Sequence, residues 1–461
     1  MKSKKIVVLL KYFKGELNPF DGAALECALE TGAKEIIALS MAPMSALNAF
    51  QGVTRIGVKG VFITDPLYAG SDTQATSFIL AEALKRLNPD LIFCGRQSVD
   101  GDTAQVPPMI AQRLGFAVKT KAISFVSDTI TLRNGEDFVP QEKTVITFEK
   151  IRTLRFPSIF SKLGEVEIWD NSILQVPQEK CGLKGSPTRV VKSYESSVGR
   201  RQCQFVGMET LDSLIQAGLK KQRTEQTEDK GQKLDEIYFV GNIKPIAERI
   251  GFSAIELQTQ GKSAKEIAEE LTEKQAKAVL WEDSEELKIL ASQVAVLTGA
   301  GICADCISFR VEEGKLIMTR PALGGNVTAD IVCESDMTFA TVRTVKKEGS
   351  DVIFSVGKGA TDEIERIRKL AQKYGAEVCC SRIVADSGKL PYEKQVGLTG
   401  RTVSPKVYVA FGISGAVQHT CAIAGAGTVI AVNNDKQARI FDYADYGIMD
   451  DVKNIKENEI C

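Results

Sequence analysis

Short aliphatic and β-branched runs alternate with longer amphipathic stretches through the first quarter of the chain. KKIVVLL (4–10), EIIALSM (35–41), GVFITD (60–65) and LIFCG (91–95) read as buried strands. Between and after them, NPFDGAALECALETG (18–32), SALNAFQGVTRIG (45–57), SDTQATSFILAEALKRLN (71–88) and QVPPMIAQRLG (105–115) read as helices. Asn18 and Asp21 stand where they can cap the first of these. ITLR (130–133) and KTVITFE (143–149) add strands. This order predicts an α/β fold, a parallel sheet covered by helices on both faces.

The pattern restarts twice. DEIYFVGN (235–242), FSAIELQ (252–258) and AKAVLWE (276–282) are strands separated by helical stretches. From 351, DVIFSVGKGA, TDEIERIRKLAQKYG and EVCCSR give strand, glycine turn, helix and strand, followed by the strands VYVAF (407–411) and TVIAVNND (428–435). KKQRTEQTEDKGQK (220–233) is charged and almost free of apolar residues, as an exposed linker is. The expected domains are 1–195, an arm and linker at 196–233, 234–345 and 346–461. All are of the parallel, doubly wound type, and the last is Rossmann-like.

RLGFAVKTKAISF (113–125) aligns without gaps to LTGAGICADCISF (297–309), so the first two domains are expected to share one sheet plan. Where the first copy has CGRQSVDGDTAQV, the second has WEDSEELKILA. A phosphate-binding turn is expected only in the first.

Two turns invite phosphate. After VYVAF the chain passes through Gly412, Ile413, Ser414 and Gly415 into a helical pattern from Ala416, and backbone N–H groups at such a turn suit a pyrophosphate. Asn433 and Asp435 follow the next strand about twenty residues on, the usual place of a ribose contact. The alternative is a tight βα turn with no ligand. After LIFCG, Gly101, Asp102 and Thr103 lead into the next helix, with the N–H groups of Thr103, Ala104 and Gln105 directed at a second phosphate. Here the alternative is that Asp102 and Thr103 only cap the helix. Gly357, Lys358 and Gly359 lack the G-K-[ST] ending and read as a structural turn.

Composition narrows the chemistry. The single histidine of 461 residues, His419, excludes a multi-histidine metal site and follows the turn by one helical turn. Eleven scattered cysteines, with one C-x-x-C at Cys303 and Cys306 and one adjacent pair at Cys379 and Cys380, read as reduced thiols rather than a zinc site. A net charge of -1 gives no reason to expect nucleic acid as partner. IVVLL is too short for an export signal, and no run reaches membrane length, so a cytoplasmic protein without membrane insertion is expected. Arg155, Phe156, Pro157, Ile159 and Phe160 form an apolar and basic cluster that reads as core or as an exposed docking loop.

GISGAVQH (412–419), SRIVADSG (381–388), PYEKQVGLTG (391–400), AVNND and ADYG resemble, in order, the flavin domain of the α subunit of electron transfer flavoproteins. NPFDGAALECAL, LSMAP, LYAGSDTQATS, CGRQSVDGDTAQV and GLKGSPTRVVKS resemble the β subunit over residues 1–195, and RPALGGNVTADIVC with ATVR resembles the α subunit's first domain. The resemblance implies a fusion of both subunits that carries electrons on FAD.

Carried over by motif, the flavin site comprises Ser381, Arg382, Gln395, Gly397, Thr399, Gly400, Gly412, Ser414, Gly415, Gln418, His419, Asn433 and Asp445. In it His419 and Gln418 face the flavin C2 carbonyl, Thr399 meets N5, and Asn433 and Asp445 lie toward ribose and adenine. Leu398 stands where the family has glutamine, and Cys379 and Cys380 where it has small residues. The second nucleotide site comprises Ser40, Met41, Asp72, Thr73, Gln97, Gly101, Asp102, Thr103, Ala104 and Gln105, and holds AMP in simple members. The D-G-D-T-A-Q-V and A-G-S-D-T forms resemble electron-bifurcating members, which implies a second FAD and NADH as donor. Partners implied are an acyl-CoA dehydrogenase-like flavoprotein and a quinone oxidoreductase or ferredoxin. The rival readings are a single-FAD carrier with structural AMP and a non-redox nucleotide-binding module. An ATP-dependent ligase would need an S-G-G-x-D-S loop, which this sequence lacks.

Overall fold

The computed structural model describes residues 1–195, 199–221, 231–323, 327–343, 350–397 and 400–455. The chain forms two compact units. One contains Met1–Ser193, Gly231–Leu323 and Ala329–Val342; the other contains Tyr194–Lys230, Gly324–Thr328 and Arg343–Cys461.

In the first unit, β1 (Lys5–Leu9), β2 (Glu35–Met41), β3 (Lys59–Ile63), β4 (Leu91–Gly95), β5 (Ala117–Val126), β6 (Thr129–Leu132), β7 (Thr144–Phe148) and β8 (Val166–Trp169) build one sheet. Their order is β8-β3-β2-β1-β4-β7-β5-β6, with the short strand Asp137–Phe138 at the far edge. The pairs from β8 to β5 are parallel, and the helices α1 (Pro19–Glu30), α2 (Leu47–Thr54), α3 (Thr73–Leu87) and α4 (Val106–Leu114) connect the strands. β1 alternates its side chains between two cores: Ile6 and Val8 pack on the α1 face, Val7 and Leu9 on the α3 and α4 face. Each fully buried aliphatic side chain of this kind contributes about 1.5–3 kcal/mol.

A second sheet in the same unit holds β9 (Leu234–Val240), β10 (Gly251–Glu256), β11 (Ala278–Glu282), β12 (Gly301–Cys306) and β13 (Thr338–Val342), in the order β10-β9-β11-β13-β12. Its helices are α5 (Lys244–Ile250), α6 (Ala264–Glu273) and α7 (Glu285–Thr298). The order matches β2-β1-β4-β7-β5 of the first sheet strand for strand, and the registers agree. Thr144 pairs with Ala117 and Phe148 with Ala122; Thr338 pairs with Gly301 and Val342 with Cys306. The ungapped repeat thus marks two copies of one plan. They meet through α4 and α7, where Gln74 Nε2 donates to the carbonyls of Ala295 (2.7 Å) and Ala300 (2.8 Å) and Lys121 Nζ pairs with Glu285 (3.1 Å).

The second unit has β14 (Val352–Val356), β15 (Glu377–Cys380), β16 (Val407–Phe411), β17 (Thr428–Val432) and β18 (Tyr446–Ile448), all parallel. The order β18-β17-β16-β14-β15 reverses direction between β14 and β16. Ligands of open parallel sheets bind outside the strand ends at such a reversal. Helices α8 (Ile364–Tyr374) and α9 (Arg382–Asp386) pack on one face; the segment that includes α10 (Val417–Thr420) passes over the strand ends, and Ile413, Ala422, Ile423 and Ala426 from it pack on the other.

Two expectations change. The stretch expected to be arm and linker supplies an edge strand, Gln204–Val206, paired with β18, and a helix, Leu211–Lys220, whose Leu211 and Ile215 enter the core. Residues 222–230 lie outside the described residues. Asn18 does occupy the N-cap position of α1, but neither its side chain nor that of Asp21 caps the helix: Asn18 Nδ2 donates to the Gln97 carbonyl (2.9 Å), and Asp21 accepts from the backbone N–H groups of Lys11 (2.8 Å) and Gly95 (2.9 Å). Both residues tie strand ends together, and Pro19 spares the helix start one donor.

Candidate functional sites

At the reversal of the second unit, Gly357 N–H donates to Phe411 (2.8 Å) and Gly359 N–H to Gly412 (3.1 Å), so the loops after β14 and β16 lock together. This makes 357–359 a structural turn. Gly412 (φ +60°) faces Ala360, and a side chain at Gly415 (φ +83°) would meet Ile440 N at 2.0 Å. The close approach that glycine permits here is to the chain's own backbone. Ser414 accepts from Ile440 N–H (3.2 Å), and Asn433 Nδ2 donates to the Ile413 carbonyl (2.8 Å).

Thus held, the turn leaves the N–H groups of Ile413, Ser414, Gly415 and Ala416 with no acceptor among the described residues. Ser414, Ala416 and Gln418 are exposed, while Gly415, Val417 and His419 are buried. The expected helix is a single turn, because GAG at 425–427 follows so soon, so the individual N–H groups rather than a helix dipole are what an oxyanion would meet.

His419 is 5% exposed, and its Nε2 lies 2.8 Å from the Tyr408 hydroxyl. Burial lowers its pKa to about 4, against a weaker opposing effect of the Val396 backbone, so the imidazole is neutral at pH 7. The loop that follows β15 lies beside it: Gly397 is packed near the Gln418 carbonyl, Gln395 is buried with its carbonyl accepting from Arg401 N–H (2.8 Å), and Gly400 N–H donates to Gly397 (2.9 Å). Ser381 N–H donates to Val356 (2.9 Å) at the end of β15, and Arg382, half-buried, pairs with Asp386 (3.3 Å). Thr399 lies outside the described residues.

Asp445 is apart from this group. Its carboxylate accepts from Arg201 and from Val429 N–H (2.8 Å), near the start of β17, whereas Asn433 follows the end of that strand. It fastens the segment before the edge strand Gln204–Val206 at the opposite end of the sheet.

The first unit holds a cavity of about 1200 Å³ at the carboxyl ends of β1, β2, β3 and β4. Met41, Asp72, Thr73, Gln97, Gly101, Thr103, Ala104 and Gln105 line it; Ser40 and Asp102 do not. Asp72 caps α3 through Ala75 N–H (3.1 Å) and holds Thr188 N–H (3.0 Å) and hydroxyl (2.7 Å). Asp102 (φ +51°) accepts from Gln97 Nε2 (2.9 Å) behind the wall, and neither it nor Thr103 caps α4, whose N-cap is Gln105. Ala104 also has positive φ (+55°), so the chain turns sharply here and leaves the N–H groups of Thr103, Ala104 and Gln105 without acceptors among the described residues.

The wall contains polar atoms that are buried and unpartnered among the described residues. They include Tyr12 Oη, Asn18 Oδ1, Asp100 Oδ1, Gln105 Oε1 and Nε2, and Arg320 Nε and Nη2. An unmet buried polar group costs about 1–3 kcal/mol, so such a wall fits a polar ligand. Lys11 joins it through an ion pair with Asp100 (2.8 Å), and Asp21, whose pKa burial pushes up to about 7, forms part of the floor. Sequence reasoning missed Lys11, Tyr12, Asn18 and Asp21 as site members, and with them Ile302, Cys303, Ala304 and Arg320, which the second copy contributes. In that copy the equivalent strand end is closed: Glu282 packs on Gly241 and accepts from Asn242 N–H (3.0 Å).

Phe156, Ile159 and Phe160 are 94%, 85% and 86% exposed, so their cluster is no core. Their loop is anchored on both sides. Arg155 binds the Glu26 carboxylate at 2.6 Å, and Arg55 donates to the Ser158 (3.1 Å) and Ser161 (3.3 Å) carbonyls. Among the described residues no helix is long and apolar enough to cross a membrane, and no group of three or more potential metal ligands occurs.

The electron transfer flavoprotein domain model matches residues 6–136 and 253–372, together more than half of the chain, and the electron transfer flavoprotein FAD-binding domain model matches 348–424. The chain is similar to electron transfer flavoprotein subunit alpha of Thermoanaerobacterium thermosaccharolyticum, with 33% identity over 235 residues, 41% of this chain and 71% of the relative. It is also similar to electron transfer flavoprotein subunit beta of Clostridium acetobutylicum, with 37% identity over 198 residues, 40% and 76% of the two chains. Acryloyl-CoA reductase electron transfer subunit beta of Anaerotignum propionicum is 35% identical over 208 residues, 34% of this chain and 57% of that one.

Proposed function

This chain belongs to the electron transfer flavoprotein family, and on that footing we propose that it is a fused single-chain carrier with two nucleotide sites, one for FAD in the second unit and one for a second FAD in the cavity of the first. In this reading 1–195 is the β-like domain, 196–233 the arm and linker, 234–345 the α-like first domain and 346–461 the FAD domain. Electrons enter from NADH or from an acyl-CoA dehydrogenase-like flavoprotein, and a bifurcating division passes them to a quinone oxidoreductase or ferredoxin.

One observation carries the second flavin. The cavity of about 1200 Å³ exceeds the roughly 300–1,000 Å³ common for small ligands, and its wall presents unpartnered donors and acceptors along its length. A mononucleotide would leave much of it unfilled.

Bound FAD would supply a carrier able to exchange one or two electrons. Around it, the chain's own groups have separate tasks. The free N–H groups of Ile413 to Ala416 receive phosphate oxygens. Neutral His419, oriented by Tyr408, offers a hydrogen bond without a charge, and Arg382 supplies a nearby cation already shared with Asp386. Phe156, Ile159 and Phe160 dock the dehydrogenase, since anchored apolar side chains held in water are the features of a binding loop.

Acid extraction of flavin-saturated protein tests the reading. Two FAD and no AMP per chain is the expected yield, with anaerobic NADH bleaching one flavin. One FAD with one AMP would make it a single-flavin carrier. A colourless protein unable to take up FAD would make it a non-redox nucleotide-binding module.

A further inference from the structure

We propose that the seam between the two copies holds a further ligand site, a pocket built on Arg113 that takes a small phosphate ester. No residue of it lines the nucleotide cavity, so the site does not depend on what that cavity holds.

Arg113 lies in the last turn of α4, and Gln74 and Phe78 stand one turn apart on α3. Gln74 is 6% exposed, and its Nε2 is held by the second copy's Ala295 and Ala300 carbonyls. That fixes the amide, and its Oε1 accepts from Arg113 Nη2 at 2.6 Å. The Ser77 hydroxyl accepts from Arg113 Nε (3.1 Å), and the guanidinium lies over the Phe78 ring, 5.2 Å from its centre. All these partners are neutral. Among the described residues no carboxylate pairs with Arg113, and its Nη1 has no acceptor. Burial lowers its pKa to about 10, opposed by the charges of Asp72 and Glu82. Both acids are committed elsewhere, Asp72 to Ala75 and Thr188 and Glu82 to Lys85 (2.6 Å).

The pocket in front of this cation has a volume of about 370 Å³. Lys180, Lys184 and Arg189 also line it, with the acids Glu179 and Glu334. Glu334 already takes Arg189 (2.7 Å), which leaves Arg113, Lys180 and Lys184 against Glu179 alone. The loop that carries both lysines is fixed. Gly185 N–H donates to the Cys181 carbonyl (3.0 Å), Gly182 N–H to Ser71 Oγ (3.1 Å), and Ser186 Oγ accepts from Asp72 N–H (2.8 Å).

A guanidinium taken from water without an acid is costly, and an anion in the pocket offsets that cost. The two unmatched positive charges suit a phosphate group, which carries about -1.5 to -2 at pH 7. Arginine supplies the planar fork and the lysines mobile point charges. A volume near the lower end of the roughly 300–1,000 Å³ usual for ligand sites selects a small ester.

The test titrates the full chain, saturated with FAD so that other phosphate-binding turns are filled, with glycerol 3-phosphate, followed by the line width of its phosphorus resonance. Wild type should bind it saturably. Affinity should fall about tenfold or more in Arg113→Gln, the scale of a lost charged hydrogen bond, and about threefold in Lys184→Gln. Lys369→Gln, an equal charge change at an exposed position of α8, should leave it unaltered. Lys184 is exposed, so its variant folds even if Arg113→Gln does not. Absence of saturable binding, binding that FAD abolishes, or equal affinity in wild type and Lys184→Gln would overturn the proposal. A chain that took up no FAD would end the nucleotide reading and leave these expected results unchanged.

Discussion

Lys121 and Asp305 stand at the same kink of the same strand in the two copies. Each takes a left-handed backbone, φ +60° and +57°, and each N–H donates at 2.9 Å to a threonine hydroxyl on the neighbouring strand, Thr147 or Thr341. The register shift that surrounds each kink falls between Ile146 and Phe148 in one copy and between Cys303 and Cys306 in the other. Lysine rarely takes such a backbone and aspartate takes it more readily, so a bulge of fixed position stands in both copies while its side chain changes sign.

Because the hydroxyl satisfies a backbone donor inside each bulge, Thr147→Val and Thr341→Val should each destabilise the first unit by about 1–2 kcal/mol. The hydroxyls lie in separate copies, so the double variant should lose close to the sum. Urea unfolding followed at Trp169 and Trp281 measures both. Losses below about 0.3 kcal/mol would mean the bulges hold without these bonds.

Gly415→Ala should be among the most damaging single-methyl changes in the second unit. The added carbon would lie 2.0 Å from Ile440 N at a backbone φ of +83°, and a cost of about 2 kcal/mol or more is expected. Gly101→Ala is the control: its added carbon meets only Ser98 Oγ at 3.4 Å, and the change should cost under about 1 kcal/mol. Equal thermal shifts for the two variants would contradict the packing described for the 412–415 turn.

For His419 the sign of the pH effect follows from its folded pKa of about 4 against about 6.5 when unfolded. Between those values the unfolded chain binds the extra proton, so the stability contributed at pH 7 is lost as pH falls. About 2 kcal/mol should go between pH 7 and pH 5. His419→Gln removes this slope, and the difference between the two pH-stability curves is the measurement. Parallel curves would show that the imidazole is solvated in the folded state.

Asp21 should act in the opposite sense. Its carboxyl is protonated up to about pH 7 when folded and only up to about 3.8 when unfolded, so its contribution is greatest in acid and is lost as pH rises through 7. Against Asp21→Asn, wild type should therefore gain stability between pH 8 and pH 5. A carbon-detected carboxyl titration gives the pKa directly, and a value below about 5 would show that the Lys11 and Gly95 N–H groups outweigh burial.

Most strands were legible because a parallel strand buried on both faces is written as an unbroken aliphatic run, as in IVVL and VYVAF. The 412–415 and 101–105 turns were legible for a related reason, since each follows such a run directly. The repeat was legible because strand register forbids gaps. Local reasoning failed where a side chain serves a distant partner. Asn18 and Asp21 look like helix caps but hold Gln97, Lys11 and Gly95, and Asp445 sits among site motifs but binds Arg201. Arg320 opens the RPALGGN motif, yet its place in the cavity wall was not legible, because a β-strand arginine looks the same beside water as beside a cavity. The helix Leu211–Lys220 did carry one, in the spacing of Leu211, Ile215 and Gly218.

The edge strand Gln204–Val206 and that helix lie between the two stretches of chain that build the first unit, yet they complete the sheet and core of the second. The chain accordingly leaves the first unit at residue 194, returns at 231 and, apart from 324–328, stays until it departs again at 343. A gene divided within codons 222–230 would therefore not separate two self-sufficient proteins. Its first product would carry off a strand and a helix that the second needs, so the two polypeptides would be stable only when each lends the other part of its interior. Continuity of the chain fixes their stoichiometry at one to one and makes the loan a concentration-independent event.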